Sequence, residues 1–441
     1  MTRKSAALRL SFTWDNLLQR VICVNLVVVS YVFPPEPVGA SRTSFDLARE
    51  LAARGHDVTV IAPFPNRPAG RLYAGYRRAL FRREAAPEGF RIVRCASFFS
   101  RRSSMLSRLA ENVSFGVTSS LALLFCGRPE VIYANTWPIF AAAMNAIVAR
   151  LRRIPLVISV QDIYPESLAS QRRPGSGVLT RVLVAIDRRV VRGAAAVVVI
   201  SETFAEHYRR LRGVDPARLH VVRNWLSAEG TEEDPAAAGA CRDRHGIPRA
   251  AFLLVYGGSV GRAAAVETAI EAVRDLDDVY FLIAGEGASL DDCRRLAARI
   301  APERVRFENP WPGTMDVLHA ADALVLPTLA GQSAVSVPSK LIGYLLAGRP
   351  VVAAVLDASD TAATVLDSGA GLVVAPGDPR RLAEAIRAMR ILPADERRRM
   401  GRAGRTWAVA NVTAEACLPR LVDVIEEASR GSLSSPAGAA G

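Results

Sequence analysis

Two loops in the second half of this 441-residue sequence carry residues whose types and spacing could act on a phosphate. Gly257-Gly258-Ser259-Val260-Gly261-Arg262 joins an apolar run, Phe252 to Tyr256, to a helix expected over Ala265 to Arg274. Glycines between strand and helix let backbone N–H groups approach an anion, and a helix N-terminus adds roughly half a positive charge, so Arg262 would meet a phosphate there. The spacing is not the G-x-G-x-x-G of dinucleotide binders, and a plain structural turn remains open. Val337-Pro338-Ser339-Lys340 precedes a helical run, Leu341 to Leu346. Proline suits a first helical turn, Ser339 can cap it, and Lys340 stands where the helix favours negative charge. Residues 226–441 hold 22 arginines and this one lysine, which makes phosphate contact the better reading of Lys340 than a solvated helix face.

Other loops offer carboxylates. Gly285-Glu286-Gly287 follows the apolar run Tyr280 to Ala284, and Glu286 could hydrogen-bond a sugar hydroxyl or a base or simply sit in a tight turn. In Gln161-Asp162-Ile163-Tyr164-Pro165-Glu166-Ser167, Asp162 and Glu166 stand four residues apart after a strand, placed either for acid/base work and hydroxyl binding or to cap the next helix. The five histidines form no ligand cluster and the six cysteines no C-x-x-C pair, so neither a zinc site nor a disulfide framework is expected. Nothing supports a Ser/His/Asp or Cys/His nucleophile, and covalent hydrolase chemistry is set aside.

The elements that must hold these loops alternate. Leu26 to Val29, Val58 to Ala62, Val131 to Ala134, Leu156 to Val160 and Ala195 to Ile200 are continuous apolar runs, as expected of strands covered on both faces. Phe45, Ala48, Leu51 and Ala52 make a helical stripe between the first two. After an acidic, Ala/Gly-rich break at 227–240 the pattern restarts with Phe252 to Tyr256, Tyr280 to Ala284, Ala323 to Leu326, Val351 to Val355 and Gly371 to Val374. The expected fold is α/β: two doubly wound Rossmann-like domains, whose ligands lie outside the carboxyl ends of the strands. The boundaries read as an N-terminal extension at 1–20, a first domain at 21–225, a second at 226–415, a C-terminal helix at 416–430 and a loose tail at 431–441. The run Val21 to Val29 contains Asn25 and lacks a cleavage site, so it reads as a strand, not a signal peptide, and no membrane-spanning helix is expected.

Charge divides the halves. Residues 1–225 carry 33 Lys/Arg against 15 Asp/Glu, and residues 226–441 carry 23 against 28. A basic half suits nucleic acid, an anionic membrane or a phosphorylated ligand, and charge alone does not choose among them.

Ordered motifs do choose. SYVFPPEPVGASRTSFDLARELAARGHDVTVIA at 30–62, PNRPAGRLYAGYR at 65–77, QDIYPES at 161–167, VVVISETF at 197–204, VVRNW at 221–225, YGGSVGR at 256–262, VPSKLIGYLLAGRPVVA at 337–353 and GAGLVVAPGDPRRLAEAI at 369–386 resemble, in that order, family-4 retaining glycosyltransferases of O-antigen and colanic-acid-type polysaccharide synthesis, the fucosamine-transferase-like branch. The resemblance implies a GT-B fold, acceptor in the first domain and nucleotide-sugar in the second. It implies donor contacts at Gly257, Gly258, Ser259, Gly261, Arg262, Gly285, Glu286, Gly287, Ser336, Pro338, Ser339 and Lys340. Phe307 to Gly313 would border the nucleotide, and Gly331 to Ser336 the donor sugar. Acceptor contacts would come from Glu36, Gly39, Ala40, Ser41, Arg42 and Asp162, with Glu166 beside them. Arg262 and Lys340 would stabilise the departing diphosphate; no metal or other cofactor is expected. Two glutamates that many members carry correspond here to Val335 and Gly343, and the usual lysine of the glycine loop is replaced by Ala263 and Ala264, which leaves ribose binding without a side chain.

The same resemblance implies a polyprenyl-diphosphate-linked or other saccharide acceptor at the inner face of the plasma membrane, and a cytoplasmic, peripherally bound protein. Arg71, Arg77, Arg78, Arg82 and Arg83 among Leu72, Tyr73, Tyr76, Leu80 and Phe81, with Arg101, Arg102 and Arg108 beside Phe98, Phe99, Met105 and Leu106, would form the interfacial patch. A transferase acting on a small metabolite is the main rival. A nucleotide-sugar epimerase is a weaker one, and nucleic acid is not expected as a partner because no binding motif accompanies the charge.

Overall fold

A computed structural model describes residues 23–431 except 38, 68, 101–104, 164–165, 167–176, 312 and 334–337. The first sheet holds β1 (Asn25–Val29), β2 (Asp57–Pro63), β3 (Phe81–Ala85), β4 (Arg91–Cys95), β5 (Val131–Asn135), β6 (Leu156–Val160), β7 (Ala196–Val199) and β8 (Leu219–Val221), in the order β3-β4-β2-β1-β5-β6-β7-β8. All pairs are parallel except β3 with β4. β1, β5, β6 and β7 are buried almost throughout, which is why their sequences are nearly unbroken apolar runs.

The second sheet is wholly parallel: β9 (Phe252–Gly257), β10 (Val279–Ala284), β11 (Val305–Glu308), β12 (Ala323–Pro327), β13 (Val351–Ala354) and β14 (Gly371–Val374), ordered β11-β10-β9-β12-β13-β14. The strand order across each sheet reverses once, between β1 and β5 and between β9 and β12. Such switch points open a crevice at the carboxyl ends of the strands. The glycine loop at 257–262 therefore leaves β9 beside that crevice.

The lobes join at two crossings of the chain. The Leu226 N–H donates to the Val412 carbonyl at 3.2 Å, and the Ala414 N–H donates to the Leu226 carbonyl at 3.3 Å. The helix Ala414–Ser429 then returns to the first lobe, where Cys417, Leu418, Leu421, Val422 and Ile425 share a core with Val24, Leu26, Leu47 and Val131. Among the described residues no helix is long and apolar enough to cross a membrane.

Four strands were not among the expected runs: β3, β4, β8 and β11. β3 is an edge strand of sequence FRREA, and β11 (VRFE) alternates. Consequently Phe81, Arg82 and Arg83, expected in the interfacial patch, lie on a sheet edge.

Candidate active site

The two glycine turns of the second lobe are laced together. The Gly258 N–H donates to the Ala284 carbonyl at 2.9 Å, the Val260 N–H to the Glu286 carbonyl at 2.8 Å, and the Ser289 N–H to the Val260 carbonyl at 3.0 Å. Contact this close leaves no room for side chains. A Cβ on Gly285 would stand 1.9 Å from the Gly258 oxygen, and one on Gly287 2.2 Å from the Val260 oxygen, at φ of 146° and 156°. The Gly285 N–H in turn reaches the Glu308 carbonyl at 3.1 Å, and Asn309 Nδ2 donates to the Gly285 oxygen at 3.1 Å, so β11 braces the turn. Glu286 and Ser259 are left exposed at the rim.

Lys340 comes in beneath this lacing. Its Nζ donates to Tyr256 Oη at 2.5 Å, sits 4.6 Å from that ring's centroid and lies 3.6 Å from where a Gly258 Cβ would stand. Tyr256 Oη donates its own proton to the Ser259 carbonyl at 2.6 Å, and Tyr344 Oη, one helical turn beyond Lys340, clamps the Gly257 N–H at 2.8 Å. Among the described residues no carboxylate pairs with Lys340. Burial of the ammonium lowers its pKa to about 8. A buried cation held by a phenol and an aromatic face, with no counter-charge, is poised for an anionic ligand.

Arg262 is exposed at the start of a 3₁₀ turn, Arg262–Ala264, and makes no side-chain hydrogen bond or ion pair with the described residues. The α-helix starts at Val266, one residue past its expected start, and is set off from Gly261 and Arg262 by the 3₁₀ turn and by Ala265, left-handed at φ 46°. The dipole argument for Gly261 and Arg262 is corrected accordingly: turn N–H groups and the guanidinium remain, but not a helix end. The Leu329 N–H donates to the Ala263 carbonyl at 3.1 Å, which ties the loop after β9 to the one after β12 across the switch point. Ser339 precedes the helix Lys340–Leu346 but makes no side-chain cap, contrary to expectation. Pro338 and Ser339 instead line a cavity between the lobes with Ser201, Glu202, Arg223 and Asn224 of the first lobe. Ser336 and Val335 lie outside the described residues, and Gly343 faces Leu226, whose Cδ1 would lie 3.8 Å from a Cβ added to that glycine.

In the first lobe the loops after β1 and β2 are stapled by Glu36. Its Oε1 accepts the Asn66 and Arg67 N–H groups, both at 2.8 Å, and burial raises its pKa despite those bonds. Glu36 thus braces these two loops from beneath, its carboxylate engaged by both amides in place of the direct ligand contact expected of it. Arg94, fully buried, ties the same loop through the Pro34 carbonyl at 2.5 Å and Glu84 at 3.1 Å. The staple presents Arg67, stacked 4.5 Å from the Tyr31 ring centroid and paired with Glu111 at 2.9 Å. Gly39 and Ala40 open the helix Gly39–Ala53 and are exposed; Ser41 is buried, and Arg42 is paired with Asp46 at 3.1 Å.

Asp162 is exposed just after β6, but Glu166 is not available for proton transfer. Arg212 holds both of its oxygens at 2.8 Å while Arg212 Nε grips buried Asp187 at 2.6 Å. Burial alone would raise the Glu166 pKa; hydrogen bonds from His207 and Arg212 override it and hold the group at about 2. A carboxylate that stays ionised and fully engaged is structural, so the acid/base reading of Glu166 is corrected.

Residues 38–225 match the family described as glycosyl transferase 4-like domain, and residues 251–390 match glycosyl transferases group 1. The chain belongs to the family-4 glycosyltransferases of GT-B fold. It is 24% identical to the putative colanic acid biosynthesis glycosyl transferase WcaI of Escherichia coli, across 75% of this chain and 83% of that one. It is 29% identical to D-inositol 3-phosphate glycosyltransferase 1 of Catenulispora acidiphila, across 70% and 75%. The crystal structure of Anabaena HepE in complex with UDP-glucose superposes with a TM-score of 0.67 at 16% identity, covering 92% of this chain and all of that one, a likeness of fold. For a glycosyltransferase, the polar residues that sequence reasoning passed over matter: Asn135, Ser159, Gln161 and Asn224 line one recess with Ala40 at the carboxyl ends of β5, β6 and β8. Gln161 and Asn224 fall inside the motifs QDIYPES and VVRNW without being singled out there, and Asn135 and Ser159 sit at or within apolar runs where no local spacing marks them.

Proposed function

We propose that this glycosyltransferase moves a hexose-type sugar, with retention, from a nucleoside diphosphate, UDP in preference to GDP, to a lipid-linked saccharide in cell-surface polysaccharide synthesis. The observation that carries the reading is Lys340: a buried ammonium without a counter-ion among the described residues, under two interlocked glycine turns, at the switch point of the second sheet. In such a step the bond from the anomeric carbon to the diphosphate oxygen breaks as the acceptor oxygen bonds to that carbon, and the acceptor proton leaves to the diphosphate or solvent. Negative charge grows on the leaving group, and cations already in place stabilise it without reorganising. Lys340 from below and Arg262 from the rim would supply them, with no metal in the step. Turn N–H groups around 258–261 would complete the cradle, and Glu286 would meet the nucleoside. Asp162, Arg67 and the open helix start at Gly39 and Ala40 would face the acceptor.

A lipid-linked acceptor is favoured by the likeness to WcaI and by the exposed edge of the first lobe. Arg77, Arg78, Arg82 and Arg83 are exposed there with Arg71, Leu80 and Phe81, while Tyr73 and Tyr76 turn inward. Phe98, Leu106 and Leu109 continue the apolar part; Arg101 and Arg102 lie outside the described residues. Each basic group near an anionic leaflet adds about 1 kcal/mol, enough in sum for reversible binding at an inner membrane face. A small phosphorylated acceptor is the second reading, favoured by the inositol-phosphate transferase match and by Arg67.

Incubation with UDP- and GDP-sugars plus membrane extract or soluble acceptors tests the proposal. Nucleotide release that needs the lipid fraction supports it; release with a soluble acceptor alone selects the second reading, and no release with any donor contradicts both.

A further inference from the structure

Behind the donor turns, at the end of β11, the fold gathers three metal-ligating side chains. Cys241 and His245 stand one helical turn apart at the end of the helix Pro235–Arg244, and Glu308 ends β11. The Cys241 sulfur, a His245 ring nitrogen and a Glu308 oxygen all lie within 4.8 Å of one another. His245 Nε2 is 2.8 Å from Glu308 Oε2, Cys241 is buried, and the His245 and Glu308 side chains are 12% and 15% exposed, at the lip above it. We propose that Cys241, His245 and Glu308 form a structural site for a divalent ion of the zinc class, with water as fourth ligand.

The donor set decides the class. One thiolate, one imidazole and one carboxylate suit a borderline-soft tetrahedral ion and not magnesium or calcium, which take oxygen. Tetrahedral coordination at about 2.0 to 2.3 Å sets ligand atoms roughly 3.3 to 3.6 Å apart, so the sulfur closes in slightly and the His245–Glu308 hydrogen bond opens slightly. On binding, the Cys241 thiol gives its proton to solvent, the sulfur and the His245 Nε2 lone pair bond the ion, and the His245 proton resides on Nδ1. Thiolate and carboxylate then balance the two charges of the ion. Arg244 Nη2 is shared between Glu308 Oε1 at 3.1 Å and Oε2 at 3.2 Å and lies 3.5 Å from Asp316; on binding it gives up Oε2 to the ion and keeps Oε1, bracing the carboxylate from outside. The ion would fix the end of β11, whose Glu308 carbonyl holds the Gly285 N–H, so its place is behind the donor turn and outside the reaction. The site stands whether or not the donor reading does.

The test uses the full chain, stripped with chelator and titrated with cobalt(II), then zinc. The site predicts one cobalt per chain with tetrahedral ligand-field bands and a thiolate charge-transfer band, displaced by zinc, and a melting temperature raised by zinc. Cys241→Ser and His245→Gln, checked for folding by circular dichroism, should lose the charge-transfer band and the zinc-dependent rise. X-ray absorption of the zinc-loaded wild type should show one sulfur at about 2.3 Å and lighter ligands near 2.0 Å, and needs no variant to fold. Absence of a thiolate band in the wild type, equal binding by both variants, or a zinc spectrum without sulfur overturns the site.

Discussion

Lys340 Nζ and Tyr256 Oη are joined by a 2.5 Å hydrogen bond, and the phenol passes the bond on to the Ser259 carbonyl of the glycine loop. The second lobe thereby aims a single desolvated ammonium at the turn expected to cradle a diphosphate. Removing it should cost binding of the charged group: Lys340→Ala is expected to weaken UDP about thirtyfold, near 2 kcal/mol for a charge-assisted hydrogen bond. Calorimetric titration of UDP measures this.

The same burial sets a pH dependence. With the Lys340 pKa lowered to about 8, the free enzyme loses the cation as pH rises through that value, so UDP affinity should fall between about pH 7 and 9. Stability moves the other way. The unfolded chain keeps its lysine protonated to about 10.4, so between roughly 8 and 10.4 it binds more protons than the folded one and this group favours folding increasingly as pH rises. Lys340→Met should abolish both trends, in titrations and in melting temperatures read across that range.

Arg262 offers a contrast. Without side-chain partners among the described residues, it contributes little to folding. Arg262→Ala should leave the melting temperature within about a degree, since such surface changes stay near 0.5 kcal/mol, while raising KM for the donor or lowering kcat. An unchanged kcat/KM would remove it from the site.

Gly285→Ala should do the reverse of a side-chain deletion. The added methyl would meet the Gly258 oxygen, backbone against backbone, at a φ that L-residues rarely adopt. The turns must part, so both donor affinity and melting temperature should drop, the latter by several degrees.

The Glu166–Arg212–Asp187 cluster should act on stability and not on the reaction. Arg212→Met strands two carboxylates around a buried position and is expected to cost roughly 3 to 5 kcal/mol in denaturant unfolding. Because the Glu166 pKa is depressed to about 2, its contribution is present above about 4.5 and lost as pH falls toward 2. Glu166→Gln should flatten that part of the acid profile with kcat changed less than about twofold at neutral pH, small against the roughly 10²-fold or greater loss of a proton-transfer group.

Central strands and turn glycines are legible in the sequence because each announces itself locally. Val27, Val131 and Val255 lie in runs buried on both faces, and Gly257, Gly258, Gly285 and Gly287 sit between strand and helix. What fails is anything decided by a distant partner. Arg82 and Arg83 interrupt any apolar run in FRREA, so nothing local marks a strand there, and only the pairing with β4 makes one. Glu36 looks like a ligand contact until the Asn66 and Arg67 amides claim it, and Glu166 looks like an acid until Arg212 closes on it. The cysteine and histidine beside Glu308 escape notice for the same reason, since the carboxylate comes from a strand more than sixty residues away.

The grip on the diphosphate is tested most directly by comparing UDP with UMP, which lacks the outer phosphate, in the wild type and in Lys340→Ala. The wild type should bind UDP at least about tenfold more tightly than UMP, about 1.4 kcal/mol, and the variant should lose most of that difference while keeping its UMP affinity. An equal gap between UDP and UMP in both proteins would contradict the assignment of Lys340 to the leaving diphosphate.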